Sequence, residues 1–193
     1  MKRPSGDKGP AGTKNPLRVL SEGLRSRAMS LAVAESCTGG LLGSMITGAP
    51  GSSEHFKGGV IAYSNEVKKD LLGVDAATLE SYGAVSSQTA REMADGVRKR
   101  LKADAGVSIT GIAGPGGGSI RKPIGTVYIG VSTARGTKVR RFAFDGNRKA
   151  IRKASALAAV EAVNGEIKKF QKTAKRGIDM TSAMRKTAKG VKK

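Results

Sequence analysis

Cys37 is the only cysteine in 193 residues, so no intrachain disulfide can form. A chain without bridges fits a reducing, cytoplasmic compartment. Tryptophan is absent, and three tyrosines and four phenylalanines make up the whole aromatic complement. A surface that stacks nucleobases on rows of aromatic rings is therefore not expected. No apolar run approaches the ~18 residues of a membrane span. Residues 1–15 carry proline, glycine and lysine where a leader would be apolar. There is one histidine, His55, and no His/Cys/carboxylate group at ligand spacing, so a metal is not expected.

Acidic side chains are also scarce, with fifteen against thirty-five basic ones and a net charge of +20. The excess is uneven. Residues 1–18 set five basic residues against Asp7, and residues 166–193 set ten against Glu166 and Asp179. Such tails stay solvated, and they attract polyanions by counterion release without sequence preference. Weak, nonspecific nucleic-acid binding is the partner they offer. The organisation expected is a Lys-rich N-terminal tail over 1–15, one domain over 16–169 and a second basic tail over 170–193.

Within the domain the periodicity alternates. Leu17, Leu20 and Leu24 predict a helix over 16–28, and Ser30–Ala34 a strand. A helix from Gly40 to Thr47 stops at Gly48-Ala49-Pro50-Gly51. A strand over Gly58–Tyr63 leads to a helix capped by Ser64 or Asn65 and ended by Gly73. A short helix follows from Asp75 to Tyr82, then an amphipathic one from Ser86 to about Ala103 with Ala90, Met93, Ala94, Val97 and Leu101 on its apolar face. Gly106–Thr110 is a third strand, and Gly125–Ser132 with Thr137–Phe144 an antiparallel pair turned at Ala134-Arg135-Gly136. Asn147 caps a last helix to about Lys169. Apolar strands interleaved with helices and closed by one hairpin give an α/β fold, a single layered domain with a mixed β-sheet flanked by helices and extended by flexible basic tails.

The stretch that organises the rest is Leu31-Ala32-Val33-Ala34-Glu35-Ser36-Cys37-Thr38-Gly39-Gly40. An apolar strand ends at a carboxylate, a hydroxyl and a thiol, and two glycines lead into a helix. Ligands of open α/β sheets bind at such strand ends, and unpaired N–H groups at a helix start favour an anion. Segments 63–68 and 110–118 also end strands, so all three could share one crevice. Ser36 needs a base. His55 has no feature that marks it as that base and reads as a packing histidine. Lys68, near the positive end of a helix dipole and beside Lys69, is either a base with a lowered pKa or an ordinary solvated lysine. Cys37 is the rival nucleophile. The Gly114–Gly118 loop matches neither the dinucleotide fingerprint nor the P-loop, although its backbone could approach a phosphate. Arg148 and Arg152, four apart on one face, either clamp a phosphate or pair with acidic neighbours.

Together these blocks resemble one family. They are Ala34-Glu35-Ser36-Cys37-Thr38-Gly39-Gly40, Tyr63-Ser64-Asn65-Glu66 with Lys68, Gly73-Val74 and Gly83-Ala84-Val85-Ser86. Thr110-Gly111-Ile112-Ala113-Gly114-Pro115 with Gly117-Gly118, Lys122-Pro123-Ile124-Gly125-Thr126-Val127, and Phe144 with Gly146, Arg148 and Arg152 complete the set. The pattern is similar to the CinA C-terminal domain, the nicotinamide-nucleotide amidase family, over about residues 17–165.

That resemblance implies hydrolysis of the carboxamide of nicotinamide mononucleotide to nicotinate mononucleotide and ammonia, without a cofactor. It implies Ser36 as nucleophile and Lys68 as its base. Tyr63 and Thr110 would orient the pair, and N–H groups near Thr38, Gly39 and Gly40 would hold the oxyanion. Asn65, Gly114, Gly117, Gly118 and Arg148 would bind the nucleotide, the glycine loop and Arg148 holding its phosphate. The longer form of the family carries an N-terminal domain associated with pyrophosphatase activity. The 193 residues leave no room for it, so that activity is not expected here. A homodimer is an option for such a compact enzyme. The contrasting expectations are a non-catalytic scaffold, a nucleic-acid-associated protein using its basic tails, and an amidase for another small amide.

Overall fold

The computed structural model describes residues 15–187, with side chains up to residue 170. The expected tail over 1–15 thus lies, except for Asn15, outside the described residues. Helix α1 (Pro16–Arg25) starts where the Asn15 side chain accepts the Leu17 N–H and a proline occupies the first helical position. It ends before the expected residue 28 because Ala28 adopts a positive φ of 50° and the Met29 N–H returns to the Leu24 carbonyl.

Strand β1 (Leu31–Glu35) is buried along its whole length. Helix α2 (Leu41–Thr47) follows, then a 3-10 turn over Ser52–Glu54 and strand β2 (Phe56–Ile61). Strand β2 begins two residues before the expected Gly58 and stops at Ile61. There the chain leaves the sheet, and the carbonyls of Ala62, Tyr63 and Ser64 all turn toward the Lys68 side chain. Helices α3 (Asn65–Leu72), α4 (Ala76–Tyr82) and α5 (Ser87–Arg100) are capped by the side chains of Ser64, Asp75 and Ser86. Strands β3 (Ala105–Gly111), β4 (Thr126–Thr133) and β5 (Gly136–Ala143) precede the long helix α6 (Arg148–Thr187). Helix α6 runs past the expected end at Lys169. Of the second basic tail expected over 170–193, residues 170–187 continue this helix, and 188–193 lie outside the described residues.

The five strands lie in the order β2-β1-β3-β4-β5, with β2, β1 and β3 parallel and β4 and β5 antiparallel. Helices α1, α2 and α6 cover one face, and α3 and α5 the other, giving the expected layered α/β domain with a mixed sheet. The two-residue period sorts β1 between the layers. Leu31 and Val33 pack with Leu24, Leu42 and Val163, whereas Ala32 and Ala34 pack with Met93 and Val97. Helix α5 lies unusually close to the sheet. A Cβ at Gly130 would stand 2.6 Å from the Ala90 carbonyl oxygen, which glycine alone permits. No helix of the described residues is long and apolar enough to cross a membrane.

Candidate active site

Because β1, β2 and β3 run parallel and chain order reverses direction at β1, their carboxyl ends open onto one crevice, the place where such sheets bind ligands. A cavity of about 280 Å³ occupies it. Ser36, Tyr63, Asn65, Lys68, Thr110, Gly114, Gly117 and Arg148 from the sequence reading all line its wall, together with Cys37. Thr38, Gly39, Gly40 and Gly118 lie outside the lining. Thr38 is fully buried beneath the turn.

Glu35 turns to the start of α2, and Ser36, one residue on, lines the cavity together with Lys68. Glu35 is 1% exposed, and its carboxylate accepts the N–H groups of Gly40 (3.1 Å), Leu42 (3.1 Å) and Gly43 (2.8 Å). It caps α2 from outside the helix, in place of the glycine at the cap position, which has no side chain to do so. This changes the expected oxyanion cradle. The Gly40 N–H is committed to Glu35 and the Gly39 N–H to the Ser36 carbonyl, so neither is free for a substrate oxygen. Both glycines hold positive φ, 57° and 92°, which is what lets the turn fold so tightly.

Lys68 is 1% exposed, and its Nζ donates to the carbonyl oxygens of Ala62 (2.9 Å), Tyr63 (3.2 Å) and Ser64 (3.3 Å). Burial pulls its pKa below 10.5, against the opposing pull of Cys37 and Glu66. The cause is burial; the neighbouring Lys69 is exposed. The carbonyl cradle acts the other way, since three oxygens suit an ammonium with three donors. Among the described residues, no hydrogen bond joins Ser36 Oγ to Lys68 Nζ; the two meet as walls of the same cavity.

Cys37 is 7% exposed, and burial pushes its thiol up to about 11, although Arg148 and Arg152 pull it down. A thiol held that high is protonated near neutrality and a poor nucleophile. His55 sits at the opposite end of the sheet, where its carbonyl accepts the Leu31 N–H at the start of β1. Burial lowers its pKa and its Nδ1 has no partner, so it is a packing histidine that a serine triad could not use. Thr110, 1% exposed, donates its hydroxyl to the Ala84 carbonyl at 2.7 Å.

Among the described residues, neither Arg148 nor Arg152 of α6 forms a salt bridge with an acidic neighbour; both bind the loops that follow the parallel strands. Arg148 donates to the Gly114 carbonyl (2.7 Å) and the Tyr63 hydroxyl (3.0 Å). Arg152 donates twice to the Thr38 carbonyl, from Nη2 at 2.6 Å and Nε at 3.3 Å. Ala84, Val85, Gly111, Ile112, Ala113 and Gly116 complete the wall; they carry no side-chain chemistry that would mark them as site residues in sequence. Among the described residues no three His, Cys, Asp or Glu side chains gather as metal ligands would.

Comparison with known proteins agrees with this architecture. Residues 14–167 match the model of the CinA C-terminal domain. The chain is 54% identical over 140 residues to a CinA-like protein of Acidobacterium capsulatum, covering 72% of this chain and 34% of that protein. It is 58% identical over 131 residues to a CinA-like protein of Thermosynechococcus vestitus, covering 67% and 32%. The chain thus spans about a third of the length of the curated relatives it matches. Among solved structures, the CinA superfamily protein KP700603 of Klebsiella pneumoniae superposes with a TM-score of 0.76 at 30% identity, over 80% of this chain and 98% of that one. The competence/damage inducible protein CihA of Agrobacterium tumefaciens does so with a TM-score of 0.73 at 36% identity, over 80% and 99%. With four fifths of its length matched in sequence and in fold, this chain belongs to the CinA C-terminal domain family.

Proposed function

We propose that the protein hydrolyses the carboxamide of nicotinamide mononucleotide, with Ser36 as nucleophile and Lys68 as the group that takes and returns its proton. The observation that carries this reading is the meeting of Ser36, on the turn after β1, and a fully buried lysine, on the helix α3 that follows β2, on one cavity wall. Burial favours the neutral amine that a base requires. In that form the nitrogen donates to two of its three carbonyls and turns its lone pair to the Ser36 hydroxyl.

Ser36 Oγ then attacks the carboxamide carbon while its proton passes to Lys68 Nζ. The tetrahedral intermediate collapses as the ammonium of Lys68 returns that proton to the departing nitrogen, which leaves as ammonia. Water attacks the resulting ester as Lys68 takes its proton; the ammonium then returns that proton to Ser36 Oγ as the ester C–O bond breaks, and the released acid ionises to the carboxylate. The cavity, at about 280 Å³, is of a size for one small ligand, and the glycines at 114, 116 and 117 let its backbone approach a phosphate closely.

Ammonia release from nicotinamide mononucleotide tests the reading on the native chain, Ser36→Ala and Lys68→Met. Activity that falls at least ~10³-fold in both variants supports the dyad. A native chain with no activity overturns the substrate. Loss of activity in Cys37→Ala together with survival in Ser36→Ala overturns the nucleophile.

A further inference from the structure

The start of α6 breaks a local rule. Its first residues include Arg148, Lys149, Arg152 and Lys153, with no acidic side chain in the first turn. Cations there face the positive end of the helix dipole, so they do not stabilise the helix. Residues that violate local preference point to a task elsewhere. Here the task is visible, because the two guanidinium groups reach all three loops that follow the parallel strands. Arg148 holds Tyr63 after β2 and Gly114 after β3, and Arg152 holds Thr38 after β1.

We propose that Arg152 is a positioning residue that fixes the nucleophile turn through the Thr38–Gly39 peptide. This rests on Ser36 being the nucleophile. The carbonyl of that peptide takes both Arg152 bonds and the Leu41 N–H at 3.3 Å, and its own N–H, on Gly39, donates to the Ser36 carbonyl at 3.1 Å. One rigid plane therefore links the guanidinium to the backbone of Ser36, and rotating it breaks both contacts. Glu35 grips the other side of the turn through Gly40, Leu42 and Gly43. The turn is held between a carboxylate on its N–H groups and a guanidinium on its carbonyl, both by charge-assisted bonds. Arg152 lies over Gly39, where a Cβ would stand 3.5 Å from Nη2. It does not line the cavity, so its effect reaches the substrate only through the turn.

The test uses the full chain with Arg152→Ala and Arg152→Lys, and two readouts. Amide hydrogen exchange is followed across residues 36–43, with β3 and β4 as internal reference. In Arg152→Ala the Gly39 and Leu41 amides should exchange at least ~10-fold faster while the reference strands hold, because only the turn is released. With nicotinamide mononucleotide, kcat should fall roughly 10–100-fold and KM change by less than ~3-fold, the signature of a misplaced reacting group. Added guanidinium ion should restore part of kcat in Arg152→Ala. Arg152→Lys, with a single point donor, should lie between.

Unchanged exchange at Gly39 and Leu41 overturns the proposal. So does a raised KM with unchanged kcat, which would make Arg152 a direct substrate ligand. If the native chain does not hydrolyse the nucleotide, the functional reading fails, and the exchange measurement alone decides whether Arg152 holds the turn. If Arg152→Ala does not fold, Arg152→Lys gives the same readouts.

Discussion

Glu35 accepts the Gly43 N–H at 2.8 Å, tying the last residue of β1 to the first turn of α2 across the loop that carries Ser36. The side chain has almost no exposure, so its three N–H partners must find replacements if it is removed.

Glu35→Ala should therefore destabilise the fold by about 2–4 kcal/mol, because three donors lose their acceptor in a site water reaches poorly. Glu35→Gln, which keeps one acceptor oxygen, should cost about half as much. Urea unfolding with an unchanged m-value measures both.

The pH dependence of turnover follows from Lys68. Burial holds its pKa below 10.5, and the proposed mechanism needs the amine, so kcat/KM should rise with pH along a limb whose midpoint lies below 10.5. Stability has the same sign. Between the depressed folded pKa and the unfolded 10.5 the unfolded chain binds more protons, so stability gains as pH rises through that window. Lys68→Met should abolish the activity limb and flatten the stability change. A limb centred at or above 10.5 would rule out a buried lysine as the base.

Cys37 should be silent in chemistry. With its thiol held at about 11, iodoacetamide should label the native protein far more slowly at pH 8 than the urea-unfolded chain. Cys37→Ser should keep activity within ~3-fold. The raised pKa contributes stability that is present below the ordinary value of 9.0 and lost as pH climbs through about 11. Labelling at equal rates in both states would contradict the buried thiol.

Gly130→Ala probes the tight seating of α5. The added methyl would meet the Ala90 carbonyl oxygen at 2.6 Å and the Ser108 hydroxyl at 2.7 Å, both held in place by neighbouring structure. Overpacking of this kind costs about 1–3 kcal/mol. A shift of that size in the urea midpoint is expected, and a neutral substitution would show that the helix can move away.

The layered fold was legible before any coordinates because its signals are local. The short apolar runs of 31–34 and 106–110, the helical period of 86–101 and the turn residues between them depend on neighbours in sequence alone. The same holds for the start of a helix at Ser64 or Asn65, for the start of another at Ser86, and for the Ser36 turn as the end of a strand. Tertiary structure alone decided which groups were spent and which were free. The Gly39 and Gly40 N–H groups look like an oxyanion cradle in sequence, but Glu35 and the Ser36 carbonyl occupy them. Arg148 and Arg152 read in sequence as a phosphate clamp or as partners of acidic neighbours, and the fold supplies them with backbone carbonyls and a tyrosine hydroxyl from distant loops. Lys68 acquires its lowered pKa from burial. Sequence determines where side chains can point along each element. Hydrogen-bond partners and desolvation depend on packing between elements far apart in the chain, and only the folded molecule supplies that.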